Sequence, residues 1–148
     1  MNTFTKISLL SPAIGTGNVG DDFIELAVRR LLRDDVEYQR FSVRQPLTPA
    51  DIEAINATDC ALLCGTNLYQ RDWHSALTPE MLAQIRVPVI PSGIGTSAAT
   101  TAELKISAQT QAMINALHAH CVTGSVRDPH TAAVVRGVGL KARSREAH

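Results

Sequence analysis

The sequence has no excess of charge, no long apolar run and few cysteines, and each shortage removes a class of function. Fourteen Lys and Arg residues balance fourteen Asp and Glu residues over 148 positions, for a formal net charge of zero. A nucleic-acid binder needs clustered cations against phosphate, and polybasic membrane attachment needs them against anionic lipid, so neither nucleic acid nor a lipid surface is expected as a partner. The apolar stretch Ile7-Ser8-Leu9-Leu10 is broken by Ser11 and Pro12 before it reaches the length of a signal-peptide core. No other stretch approaches the roughly 20 apolar residues of a membrane-spanning helix, so no membrane span and a cytoplasmic location are expected. The three cysteines are odd in number, and Cys60 and Cys64 are four apart with no histidine near them in sequence. That spacing supports neither a redox pair nor a metal centre, and all three read as buried thiols. What remains is a chain with 45% hydrophobic and 19% charged residues, enough for one core and too short for a second full domain.

Short apolar runs alternate with segments of helical periodicity along the whole chain, the pattern of βαβ units. Strands are expected at residues 6–10, 36–43, 59–64, 87–90 and 121–126. Residues 36–43 read as an edge strand because Arg40 and Arg44 interrupt them, whereas 59–64 are apolar on both faces, as the central strand of a covered parallel sheet should be. Helices are expected at about 21–33, 48–57, from 78 onward, within 100–120 as one long or two short pieces, and from 128 until Gly137 and Gly139 end it. Thr48-Pro49 and Thr78-Pro79 supply an N-cap followed by proline at the first helical position, Asp128-Pro129 repeats that signal, and Ser107 is a further cap candidate. The expected architecture is a single α/β domain over residues 1–140, a Rossmann-like doubly wound fold with a mainly parallel sheet of about five strands. Residues 141–148 form a polar tail without an apolar anchor, expected to fray.

In such a sheet, ligands bind beyond the carboxyl ends of the strands. Three loops qualify there. The first runs from Ala13 to Asp22 and contains Gly15, Gly17, Asn18, Gly20 and Asp21. Glycines admit tight backbone conformations, and free N–H groups at a helix start favour anions, but Asp21 and Asp22 would repel a pyrophosphate placed there. A turn-and-cap role for Asn18 and Asp21 fits as well as a binding role. The second and third loops, Gly65-Thr66-Asn67-Leu68-Tyr69 and Ser92-Gly93-Ile94-Gly95-Thr96, are equally open to either role.

Four segments in order change the weighting. They are Gly17-Asn18-Val19-Gly20-Asp21, Leu62-Leu63-Cys64-Gly65-Thr66-Asn67-Leu68, Pro88-Val89-Ile90-Pro91-Ser92-Gly93-Ile94-Gly95, and Gly124-Ser125-Val126-Arg127-Asp128 leading to Thr131 and Val138-Gly139-Leu140. In these the chain resembles the polysaccharide pyruvyl transferase family. The resemblance implies transfer of a pyruvyl group from phosphoenolpyruvate, the donor substrate, to a pair of sugar hydroxyls, with no separate cofactor or metal. It further implies one half of a two-domain glycosyltransferase-like fold, with the site in the cleft between the halves. Thr66 stands where the family usually has a second glycine, and the second half would begin where this chain ends. The implied partners are a sugar or polysaccharide precursor and a second domain, with self-association through an exposed cleft face as the alternative. The isolated chain is then expected to bind without turnover. A noncatalytic α/β module that binds a sugar or phosphate is the other reading.

The expected substrate-binding residues are Gly17, Asn18, Asp21, Gly65, Asn67, Gly93, Gly95 and Arg127. The reaction needs cations for the donor, an acid to protonate the enol carbon and a base for the acceptor hydroxyl. Arg127 suits anion contact because a guanidinium binds a carboxylate or phosphate through two N–H groups, although pairing with Asp128 is its alternative. Asp128 reads as a cap, and no acid or base stands out. His74, His118, His120, His130 and His148 have solvation or packing as their default. Tyr69 and Trp73 offer either a stacking face for a sugar ring or core packing.

Overall fold

The structure, a computed structural model, describes residues 4–97 and 106–137. Its elements in chain order are β1 (Lys6–Ser11), α1 (Val19–Leu31), β2 (Glu37–Ser42), α2 (Pro49–Asn56), β3 (Cys60–Cys64), α3 (Pro79–Gln84), β4 (Val89–Ser92), α4 (Ala108–His120) and α5 (Pro129–Gly137). The four strands form one parallel sheet in the order β2-β1-β3-β4. The fold is α/β, Rossmann-like and doubly wound. β2 lies at an edge and β3 in the interior, as the distribution of arginines and apolar residues requires.

Strand pleating sends alternate residues to opposite faces, which divides the core in two. Ile7, Leu9, Cys60 and Cys64 pack with Val28, Ile24 and Leu32 beneath α1. Leu10, Ala61 and Leu63 face the other way, against Ile52 and Ile55 of α2, Leu82 of α3, and Ile114 and Leu117 of α4. On that second face of β1 the polar Ser8 is buried and satisfied by the Thr58 hydroxyl at 3.1 Å.

Local signals set the helix starts. Thr48 accepts from the Asp51 backbone N–H while the Asp51 carboxylate accepts from Thr48, a complete capping box with Pro49 at the first position. Thr78 caps α3 in the same way ahead of Pro79, Ser107 caps α4, and Asp128 accepts from the Thr131 N–H at 2.7 Å. Ser107 therefore starts α4. Residues 98–105 and 138–148, which include Val138-Gly139-Leu140 and the polar tail, lie outside the described residues.

The expected fifth strand at 121–126 is a correction. This segment runs along the outer side of β4 and forms no continuous ladder with it, only isolated bridges, Val89 with Cys121 and, beyond the end of β4, Ile94 with Val126. Ser125 N–H donates to the Pro91 carbonyl, so the backbone edge of residue 91 faces this segment. Proline has no N–H to return, and the ladder is interrupted there.

The pH dependence of stability follows from two of these contacts. His118 Nε2 lies 2.8 Å from the Tyr69 hydroxyl, the two rings stack, and burial pushes its pKa below the ordinary 6.5. The unfolded chain takes up a proton on this histidine near 6.5 and the folded chain resists it, so stability falls as pH drops through that value. At lower pH a second loss begins. The backbone N–H groups of Lys6 and Thr5 hold the Asp59 carboxyl below the usual carboxylate value, and the benefit disappears as pH falls through that lowered value. Thermal melts at roughly pH 7.5 and 5.5 should show a lower Tm at the acid value, and His118→Gln should flatten the difference. An unchanged difference in that variant removes His118 from the account.

Candidate functional site

The carboxyl ends of β1, β2 and β3 open on one cleft of about 440 Å³, a volume suited to a small ligand. Its wall is mainly polar. The β1–α1 loop contributes Pro12 and Asn18, and the first turn of α1 Gly20 and Asp21; the residues just after β2 contribute Val43 and Arg44; the segment after β3 contributes Thr66, Asn67, Gln70 and His74; and Arg127 closes the far side.

Asn18 is the N-cap of α1, its Oδ1 accepting from Gly20 N–H at 3.0 Å. That bond leaves the Asn18 side-chain N–H groups for the cleft. Asp21 is not a cap. It sits within α1 on the inward face, buried, and accepts from Arg44 Nη2 at 2.5 Å. Arg44 Nε in turn donates to the Pro12 carbonyl at 2.9 Å, which holds the guanidinium at the mouth of the β1–α1 loop. The repulsion expected of Asp21 toward an anion is thereby cancelled by a neighbour 23 residues away.

Arg127 reaches the cleft because Gly95 has no side chain. A Cβ at Gly95 would stand 2.6 Å from Arg127 Cζ and 2.8 Å from Asn67 Oδ1. The guanidinium lies in that slot, with Nη2 donating to the Thr96 carbonyl at 3.3 Å and Nε facing Asp128 Oδ2 at 3.4 Å. These are long, partly exposed contacts that leave N–H groups available. Asn67 Oδ1 is buried and has no hydrogen-bond partner among the described residues. An orphaned acceptor at a cleft wall is satisfied when a ligand hydroxyl or amide donates to it.

Of the residues expected from sequence, Asn18, Asp21, Asn67 and Arg127 line the cleft. Gly95 acts beneath Arg127. Gly65 and Gly93 do not line the cleft; they pack backbone against backbone, and Gly93 takes φ +69°, a conformation that favours glycine. Gly17 does not line the cleft, and a Cβ there would meet nothing within 4 Å. Sequence reasoning missed Arg44, Gln70 and His74. Arg44 was recognisable in principle: it follows directly on a strand whose carboxyl end belongs to the binding edge.

No known family model matches this chain, and no curated protein matches it. The cleft is therefore interpreted from its own chemistry. Tyr69 is buried, with its hydroxyl on His118, and the Trp73 indole N–H donates to the Leu77 carbonyl at 3.0 Å while the ring packs on the core. Neither lines the cleft as a stacking face. Burial raises the Cys60 thiol to about 11 and the Cys64 and Cys121 thiols to about 12, so all three are protonated at neutral pH and poor nucleophiles. Among the described residues no three His, Cys, Asp or Glu side chains are grouped as metal ligands, and no helix is long and apolar enough to cross a membrane. Among the described residues the large exposed apolar side chains, Val19, Phe23 and Leu26 among them, are outside the cleft wall.

Proposed function

We propose that the cleft binds phosphoenolpyruvate or the sugar acceptor as one wall of a polysaccharide pyruvyl transferase site, working in the cytoplasm with a second wall supplied by another domain or chain. The observation that carries this reading is convergence. Asn18 and Asp21, Thr66 and Asn67, Gly95, and Arg127 come from four segments far apart in sequence, the same four on which the family resemblance rests, and all meet at one cleft. Arg127 receives the carboxylate or phosphate, Asn67 Oδ1 accepts from a hydroxyl, and Asn18 donates through its amide. Catalysis requires donor and acceptor to be held together away from water, which one open wall does not achieve. The 148-residue chain therefore binds without turnover.

Calorimetric titration with phosphoenolpyruvate, and separately with a β-galactoside or aminosugar acceptor, tests this. Arg127→Ala should weaken an anionic ligand about tenfold, roughly 1.5 kcal/mol for losing a charged hydrogen bond. Gly95→Ala, whose Cβ displaces the guanidinium, should do the same, whereas Asn18→Ala should lower affinity and thermal stability together because Asn18 also caps α1. Unchanged affinity in both Arg127→Ala and Gly95→Ala removes Arg127 from the site. Phosphate release by this chain alone overturns the one-wall argument. The pairing of Asp21 with Arg44 favours one further reading, a noncatalytic module that binds a sugar or sugar phosphate, since the buried carboxylate of the cleft is already committed. Tight binding of a sugar phosphate with no response to phosphoenolpyruvate selects that reading.

A further inference from the structure

A helix packed on one side of a sheet normally turns polar residues to water. α1 does not. Its inward face is Asp21, Glu25 and Val28, while Val19, Phe23 and Leu26 point outward and are 63%, 66% and 41% exposed. Spacings of four and three residues align these three side chains in one stripe along the helix. Opposite charges flank Leu26 on this side of the helix: Asp22 lies four residues before it and Arg30 four residues after it, both exposed.

We propose that this stripe is the contact between two copies of the chain, with their α1 helices antiparallel about a twofold axis at Leu26. In that arrangement Leu26 meets Leu26, and Asp22 of each copy meets Arg30 of the other. Phe23 fills the seam beside Leu26. A parallel pairing sets Asp22 on Asp22 and Arg30 on Arg30, and a uniformly charged partner complements only one of the two charges. The charge pattern thus selects a second, inverted copy. Three apolar side chains per copy make a small interface, so the association is reversible and concentration-dependent. It does not depend on which ligand the cleft takes.

Sedimentation equilibrium on the intact chain tests the proposal, with circular dichroism melts to confirm that each variant folds. The wild type should shift from monomer toward dimer as its concentration rises through the high micromolar range, roughly 0.1–0.5 mM. Phe23→Asp, at a position two-thirds exposed in the monomer, should weaken the dimer at least about tenfold. Asp22→Arg and Arg30→Asp each place like charges opposite one another twice, so each should also be monomeric alone. Mixed together, the two single variants restore both ion pairs and should form a heterodimer of near wild-type affinity. A monomer throughout the range overturns the proposal. So does a dimer indifferent to Phe23→Asp, a mixture that fails to pair, or a dimer lost in Arg127→Ala instead.

Discussion

Replacing Gly65 with alanine should destabilise the fold by about 3 kcal/mol, the upper part of the cost of overpacking a tight contact. The added Cβ would stand 2.5 Å from the Gly93 carbonyl oxygen and 2.7 Å from that of Ser92, where carbon and oxygen cannot approach so closely. Both neighbours are backbone at the end of β4. Neither can rotate aside as a side chain would, and Gly93 is already committed to φ +69°. Relief requires β3 and β4 to separate at their carboxyl ends. For a chain of this size each kcal/mol corresponds to roughly 2–4 °C, so a Tm lowered by about 6–12 °C is expected. Gly17→Ala is the control, since its Cβ meets nothing within 4 Å. Equal melting of Gly65→Ala and Gly17→Ala would show that the sheet end yields freely.

The second large effect belongs to the buried carboxylate of Glu25. Arg40 Nε donates to Oε1 at 2.7 Å and Nη2 to Oε2 at 2.9 Å, the Ser11 hydroxyl also donates, and Arg29 lies farther off at 4.0 Å. The hydrogen bond from Arg40 to Glu25, opposed by partial burial, raises the Arg40 pKa above its ordinary value. Arg40→Ala strands a carboxylate that is 4% exposed with one hydroxyl and a distant guanidinium. Removing one partner of a fully buried pair costs 3–5 kcal/mol; Arg40 is 44% exposed, water screens the change, and about 2 kcal/mol is expected. Adding Glu25→Gln should recover more than half of that loss, because the neutral amide no longer needs the cation. Urea denaturation of the two single variants and the double variant measures the coupling. Simple additivity would mean that Arg40 and Glu25 act independently.

Both predictions rest on contacts that are silent in the sequence. Gly65 and Gly93 were visible as loop glycines, but their role is a close approach between two strands, which no local pattern encodes. Glu25 lies at a helical position that reads as amphipathic surface, yet α1 presses it onto Ser11 and Arg40. Arg127 was legible as a cation at the binding edge. What seats it, the vacancy left by Gly95, was not.

By itself the sequence determined where three helices start and which strands lie inside and at the edge of the sheet. Thr48-Pro49, Thr78-Pro79 and Asp128-Pro129 start helices because a side-chain oxygen satisfies N–H groups within three residues, an interaction complete within the segment. The two apolar faces of β3 placed it inside the sheet and the arginines of β2 placed that strand at the edge, because burial acts on composition. Tertiary structure alone decided the partners of the charged and small residues. Asp21 meets Arg44, Glu25 meets Arg40 and Arg127 lies over Gly95, at separations of 23, 15 and 32 residues. It also reduced the fifth strand to isolated bridges, since the consequence of the N–H that Pro91 lacks depends on which neighbour that edge faces. Such pairings depend on where the strands bring distant segments together, and that geometry exists only once the sheet has formed.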